Sequence, residues 1–189
     1  NISLCFISPN GRFLARVTGG VKGNVILRKK QYRVSEDEKL SFEIAKNCVL
    51  GKVYNCRWVL ERATRDHSTQ IDLERVKRAS SFLQQSLTNI SLSRYMAQLR
   101  GYEGEAASVY FGVFDQLILQ QKKEFTFHGR SRRPPLDNVN AMLSFIYTLL
   151  ANTIESALES VGLDPYVGFM HTDLSLIHIS EPTRLDVIS

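Results

Sequence analysis

Residues 35–65 read SEDEKLSFEIAKNCVLGKVYNCRWVLERATR, and this stretch decides the fold class. Ser35 is a good N-cap, and Glu38 three residues later completes a capping box, in which two side chains satisfy backbone donors at a helix start. Leu40, Ile44, Val49, Val53 and Leu60 then recur at helical spacing, so the stretch predicts one long helix reaching about residue 65.

Working outward, the same periodicity returns three times. A helix is expected over about 71–88, with Val76, Leu83 and Leu87 inward. Another starts near Glu103 and carries Val109, Tyr110, Val113, Leu117 and Ile118. A last one covers about 136–160, with Val139, Leu143, Ile146, Leu150 and Ile154 on one side and Pro134-Pro135 just before it, as prolines stand at helix starts. Upstream the pattern differs. Ile2-Ser3-Leu4-Cys5-Phe6-Ile7 is short, β-branched and aromatic, and the turn signal Ser8-Pro9-Asn10-Gly11 follows. Arg12-Phe13-Leu14-Ala15-Arg16-Val17 reads as the returning strand, ended by Gly19-Gly20. Two strands alone are marginal, so the hairpin is expected to belong to a larger sheet. The fold class is therefore mainly α: the remnant of an N-terminal β-domain, then a helical domain.

The 189 residues suffice for one ordinary domain, or a small domain joined to a larger one. Apolar residues at 43% can bury a core, and charged residues at 23% do not describe a disordered chain. No continuous apolar run reaches the roughly 20 residues of a membrane helix, and no membrane association is expected. A signal peptide is not recognisable. The first residue is Asn1, followed at once by an apolar stretch, which reads as a record starting inside a gene. Cys5, Cys48 and Cys56 are odd in number and lack a Cys-x-x-Cys pair, which argues against a disulfide framework or zinc knuckle. Buried free thiols in a reducing, cytoplasmic setting are the plainer reading.

The net charge of +5 is unevenly spread. Residues 1–34 hold seven Lys or Arg and no acid, and residues 122–133 oppose their basic residues with Glu124 alone. Clustering of this kind meets phosphate backbones, although a solvated basic face has the same composition.

Two residues could carry chemistry. Glu103 lies between glycines in Gly101-Tyr102-Glu103-Gly104-Glu105, where it could cap a positive helix end or face a metal ion. His171, in Gly168-Phe169-Met170-His171-Thr172, could be structural or a ligand. A Glu/His set with further carboxylates suits manganese or magnesium better than structural zinc. His67 reads as solvent-facing, and His128 as part of a basic DNA-facing loop. Gly-rich phosphate loops, nucleophile elbows and dinucleotide fingerprints do not occur.

At these residues a family resemblance becomes specific. Residues 129–145 (GRSRRPPLDNVNAMLSF) resemble the central signature of the CRISPR-associated Cas-one integrases. Residues 101–110 (GYEGEAASVY) resemble their glutamate motif and residues 168–172 (GFMHT) their histidine motif, while Arg28-Lys29-Lys30-Gln31-Tyr32 and Lys52-x-x-Asn55-x-Arg57 also match. Order and spacing agree over 1–173, in the flavour of the type I-C branch. The resemblance implies a truncated N-terminal β-domain over 1–21 and a truncated all-helical catalytic domain over 22–173. It further implies a metal-dependent DNA endonuclease and integrase using Mn2+ or Mg2+, which inserts foreign double-stranded DNA (the prespacer) at a CRISPR repeat. Homodimers of the family clamp a dimer of the smaller Cas-two protein in a heterohexamer. Glu103 and His171 fall on two family metal-ligand positions, and Arg130, Arg132 and Arg133 are assigned to DNA phosphates.

After Asp173 the family pattern stops. Residues 174–189 read as translated sequencing-library adapter, so neither His178 nor Asp186 is taken for a ligand. The chain as written is expected not to integrate DNA, lacking an acidic ligand. The competing reading is a non-catalytic basic helical DNA-binding or scaffold protein, in which the arginines matter and Glu103 does not.

Overall fold

The computed structural model describes residues 4–9, 13–17, 23–132 and 134–170. The elements run β1 (Leu4–Ile7), β2 (Phe13–Val17), α1 (Val25–Glu36), α2 (Glu38–Asp66), α3 (Leu73–Leu92), α4 (Met96–Gly112), a 3₁₀ turn (Phe114–Leu117) and α5 (Asn138–Ser160). They fall into a continuous unit, Phe42–Ala141, and a split unit formed by Asn1–Ser41 and Met142–Ser189.

The hairpin and four of the helices follow the sequence reading, but helix starts move. Ser35 lies inside α1, its hydroxyl donating 2.8 Å to the Tyr32 carbonyl. The cap of α2 is Asp37, whose carboxylate accepts from the Leu40 amide at 2.9 Å. An acidic side chain in that position meets the positive end of the helix better than a hydroxyl. Asp72 caps α3 in the same way, accepting from Arg75 N at 3.0 Å. Asp137, rather than the two prolines, opens α5 by accepting from Asn140 N at 2.7 Å.

The continuous unit has an apolar core. On α2, Phe42, Ala45, Val49, Val53, Leu60 and Ala63 are buried at intervals of three, four or seven residues, the inward stripe of one helix. They are joined by Val76, Ala79, Leu83 and Ile90 of α3 and Leu99 and Ala106 of α4. Each large side chain buried here contributes about 2 kcal/mol. Leu40 and Ile44, expected to face inward on α2, are exposed instead. At the other end of α4, Phe111, Phe114 and Phe127 pack ring against ring at 5.0–6.1 Å, tying the loop that follows the 3₁₀ turn to the helix. Arg75 bonds the Gly112 carbonyl and pairs with Asp115, which fixes the start of α3 to the end of α4.

The split unit is held differently. β1 and β2 pair antiparallel, with Leu4 opposite Val17 and Phe6 opposite Ala15, and a bulge shifts the register before Ile7 meets Phe13. The Gln31 side chain of α1 is buried and bonds both backbone groups of Asp164, each at 2.8 Å. Tyr32 donates to the Asp164 carboxylate at 2.6 Å, and that bond pushes its hydroxyl above the ordinary tyrosine range. Gly162 has φ +86, and a Cβ there would come within 2.9 Å of Asn24. Ser41 donates to the Phe169 carbonyl at 2.7 Å.

On α5, Ile146, Leu150 and Ile154 are exposed rather than inward. No uninterrupted apolar run of about 20 residues occurs, yet with a mean hydropathy of 1.3 over its best window α5 is long and apolar enough, by length and composition, to cross a membrane. Both hold because its polar residues are uncharged except Glu155 and Glu159, so they interrupt the run without lowering the average much. One helix of this kind is also what a soluble helical protein places on a packed face.

Candidate functional site

Glu103 lies in the middle of α4, not at its start, so it caps no helix end. The expectation failed because α4 begins seven residues earlier, at Met96, behind Tyr95, which gives no side-chain cap. The flanking Gly101 and Gly104 are helical, and a Cβ at either would meet nothing within 4 Å. Both glycines therefore lie on open faces of α4, turned away from the Glu103 face.

The Glu103 side chain is only 16% exposed, and its Oε1 accepts from the ammonium of Lys52 on α2, itself 23% exposed. This ion pair lies within the continuous unit, one helix supplying each charge. Partial exclusion of water makes such a pair stronger than one on an open surface, where the median is about 0–1 kcal/mol. Among the described residues Oε2 has no hydrogen-bonding partner. Cys56, one turn after Lys52, is half-buried, and burial raises its thiol above the ordinary range while Lys52 opposes the shift. Cys48 is exposed, so the expected burial of the thiols does not hold there. The side chain of Cys5 lies outside the described residues.

The second feature is the loop before α5. Asn140 is fully buried and is its hub. Its Oδ1 accepts from Arg130 Nη1 at 2.9 Å and from the Ser131 amide at 3.0 Å. Its Nδ2 donates to the Gly129 carbonyl at 2.9 Å and to Asp137 Oδ2 at 2.7 Å. Every hydrogen-bonding position of the amide that these partners can reach is used, which is what a buried amide requires. Gly129 takes φ +144, a left-handed conformation suited to glycine.

The sequence-selected residues are thus placed unevenly. Arg130 is half-buried and also donates to the Ser131 carbonyl at 2.8 Å, so part of its guanidinium holds the loop. Arg132 is exposed. Arg133 and His171 lie outside the described residues. His128 is exposed on the loop, whereas His67 is half-buried rather than solvent-facing. Among the described residues, no group of three His, Cys, Asp or Glu could hold a metal ion. Reasoning from sequence gave no role to Lys52, Asn140 or Asp137. Lys52 stands within the family-matching Lys52-x-x-Asn55-x-Arg57, but nothing in one sequence says which acid a lysine will meet.

A model of the family "CRISPR associated protein Cas1" matches residues 1–176. The CRISPR-associated endonuclease Cas1 2 of Rhodospirillum rubrum is 51% identical over 176 residues, 91% of this chain and 50% of that protein. Among solved structures, a casposase bound to integration product superposes with a TM-score of 0.75 at 25% identity, over 100% of this chain and 52% of that one. A Cas6-RT-Cas1–Cas2 complex gives 0.73 at 26% identity, over 92% of this chain and 18% of that one. The chain spans about half the length of the curated relatives it matches. With a match over nearly its whole length, and a relative half identical to it, the chain belongs to the CRISPR-associated Cas1 family.

Proposed function

We propose that this chain is part of a metal-dependent DNA endonuclease and integrase, of type I-C character, that inserts foreign DNA as spacers into a CRISPR array. The carrying observation is the family match over 1–176, which includes the half-buried Glu103 carboxylate beside two glycines. The relatives' name of endonuclease supports the cleavage chemistry, and the likeness to a casposase bound to integration product supports strand transfer.

In this reading Glu103 and His171 are metal ligands. A carboxylate oxygen is a hard donor that suits Mn2+ or Mg2+, and the free Oε2 of Glu103 is the donor the described residues supply. When bound, such an ion stabilises charge on the attacking and leaving oxygens of a phosphodiester. Arg132 and Arg133 position double-stranded DNA through its phosphates, while Arg130 both shapes the loop and adds charge to it. The partners are the prespacer, the CRISPR repeat, a second copy of the chain and a Cas2 dimer in a heterohexamer; a solved complex containing Cas1 and Cas2 supports the last. The setting is the cytoplasm, where the array lies. Residues 1–21 are the end of a β-domain, residues 22–173 are catalytic-domain sequence, and residues 174–189 are adapter-derived.

The test uses a parent protein of its relatives' length, with Mn2+, Cas2 and a labelled prespacer. Glu103→Ala is expected to lower strand transfer by at least a hundredfold, the loss of a metal ligand, while leaving DNA affinity within about twofold. A parent protein that transfers no strand, whose DNA affinity falls on replacing Arg130 and Arg132 and is indifferent to Glu103→Ala, would establish the non-catalytic DNA-binding alternative instead.

A further inference from the structure

On the reading that Arg130 and Arg132 meet DNA phosphates, we infer that Asn140 is a positioning residue: its buried carboxamide aims the Arg130 guanidinium and fixes the loop that presents both arginines. The described residues between Gly129 and Asp137 form neither helix nor strand. A segment without ladder bonds keeps one shape only where other groups take up its backbone. Asn140, in the first turn of α5, does so at 0% exposure. The direction of each bond dictates the residue type. The Gly129 carbonyl and Asp137 Oδ2 can only accept, at 2.9 and 2.7 Å, so they face the amide NH2. Arg130 Nη1 and the Ser131 amide can only donate, at 2.9 and 3.0 Å, so they face its oxygen. Only a carboxamide side chain offers two donors and two acceptor sites together, and glutamine carries them one methylene too far to keep the same four partners. An aspartate would set an acceptor against the Gly129 carbonyl and the Asp137 carboxylate.

The surroundings brace this hub. Asp137 grips Asn140 twice, its Oδ1 accepting from the backbone amide at 2.7 Å while Oδ2 holds the side chain. The Ser131 hydroxyl accepts from the Leu136 amide at 3.0 Å and closes the loop across its width. Phe127, buried against Phe111 and Phe114, anchors the approach, and Asn138 donates to the Glu124 carbonyl at 3.0 Å. Arg130 Nη1 is thereby shared between Asn140 Oδ1 and the Ser131 carbonyl, so the guanidinium points one way, two residues before the exposed Arg132. An arginine fixed in advance does not lose rotamer freedom again when it meets a phosphate. Asn140 brings no charge and needs no contact with DNA; it acts through Arg130 and Ser131.

The test measures binding of a labelled DNA duplex by a parent protein of its relatives' length, at several salt concentrations, with folding followed by circular dichroism. Arg130→Ala is expected to weaken binding about tenfold and to lower the slope of log affinity against log salt by about one, the loss of one phosphate contact. Asn140→Ser removes no charge, yet it should weaken binding about fivefold and lower the same slope, which a merely stabilising residue would leave alone. With Arg130→Ala already present, Asn140→Ser should cost less than about a further twofold, because both act through one guanidinium. Asn140→Asp and Asp137→Asn should each weaken binding, and the two together should recover part of it, since the exchanged pair again sets a donor against a carboxylate. A folded Asn140→Ser with native affinity and slope, beside an impaired Arg130→Ala, would overturn the positioning role alone. Native affinity in Arg130→Ala would overturn it as well, and native affinity on replacing Arg130 and Arg132 together would remove the assignment of these arginines to phosphates with it. Loss of fold in both Asn140→Ser and the exchanged pair, with Arg130→Ala folded, would make Asn140 a folding residue and equally overturn the role.

Discussion

The two units of the chain are stabilised by different physics. In the continuous unit, α2, α3 and α4 contribute the buried apolar residues, from Phe42 through Leu60 and Leu83 to Leu99. In the split unit, the buried residues named among those described are polar or glycine: Gln31, Ser41 and Gly162. Many of its large apolar side chains are exposed, including Phe6, Ile26, Phe145 and Ile146, and others such as Leu27 and Leu143 are half-buried. The first unit is an apolar core closed by salt bridges, and the second is a set of hydrogen bonds converging on Asp164. A buried apolar core gains free energy in proportion to area, whereas each net hydrogen bond contributes about 1 kcal/mol and is costly to lose. The candidate metal ligand with a described position, Glu103, stands on the better-packed side.

The largest effect expected is on that core. Leu83→Ala should lower unfolding stability by about 3 kcal/mol, because a fully buried side chain leaves a cavity its neighbours cannot fill. Ile146→Ala, the same kind of truncation on the exposed face of α5, should cost less than about 0.5 kcal/mol. Denaturant titration of the two variants measures the contrast directly. Equal losses would mean that α5 is as deeply packed as α3, and the distinction between the units would fail.

A smaller effect probes the split unit. Gly162→Ala should cost about 1–2 kcal/mol, since an L-residue at φ +86 is strained and its Cβ would press on the Asn24 backbone and side chain. The loss should show as faster hydrogen exchange in α1 (Val25–Glu36), where Arg28 reaches the Gly162 carbonyl at 3.3 Å, with exchange in α3 unchanged. Slowed or unaltered exchange in α1 would mean that this polar attachment does not hold the helix.

Much of the fold was legible because helices announce themselves by spacing. Val49, Val53 and Leu60 on α2, and Val76 and Leu83 on α3, recur at intervals that only a helix turns to one side, and they are buried. Helix starts were less legible. Ser35, Asp37 and Asp72 all have capping side chains, and choosing among them depends on which neighbouring turns pack, which periodicity does not encode. The apolar stripe of α5 reads as core although much of it is exposed, because a sequence shows which face wants cover and not what supplies it. At the site, the glutamate was legible from its glycines and the family motif. Lys52 and Asn140 were not, since their partners lie 51 residues away in one case and fold back through a left-handed glycine in the other.

The smallest effect tests depth within one helix. Cys48 and Cys56 are both on α2, but Cys48 is exposed and Cys56 is half-buried beside Lys52. The thiolate is the form that alkylates. Burial raises the pKa of Cys56, partly offset by the Lys52 charge, so at pH 8 iodoacetamide should modify Cys48 first and Cys56 more slowly than in the unfolded chain. With a raised folded pKa, the unfolded chain releases the Cys56 proton first, so the stabilisation is complete below the ordinary thiol range and is lost as pH rises from that range through the raised folded value. Lys52→Met removes the opposing charge and should slow Cys56 alkylation further, leaving Cys48 unaffected. Peptide mass mapping against time gives both rates. A Cys56 that reacts as fast as Cys48 in the folded chain would place that turn of α2 at the surface, and with it the lysine that pairs with Glu103.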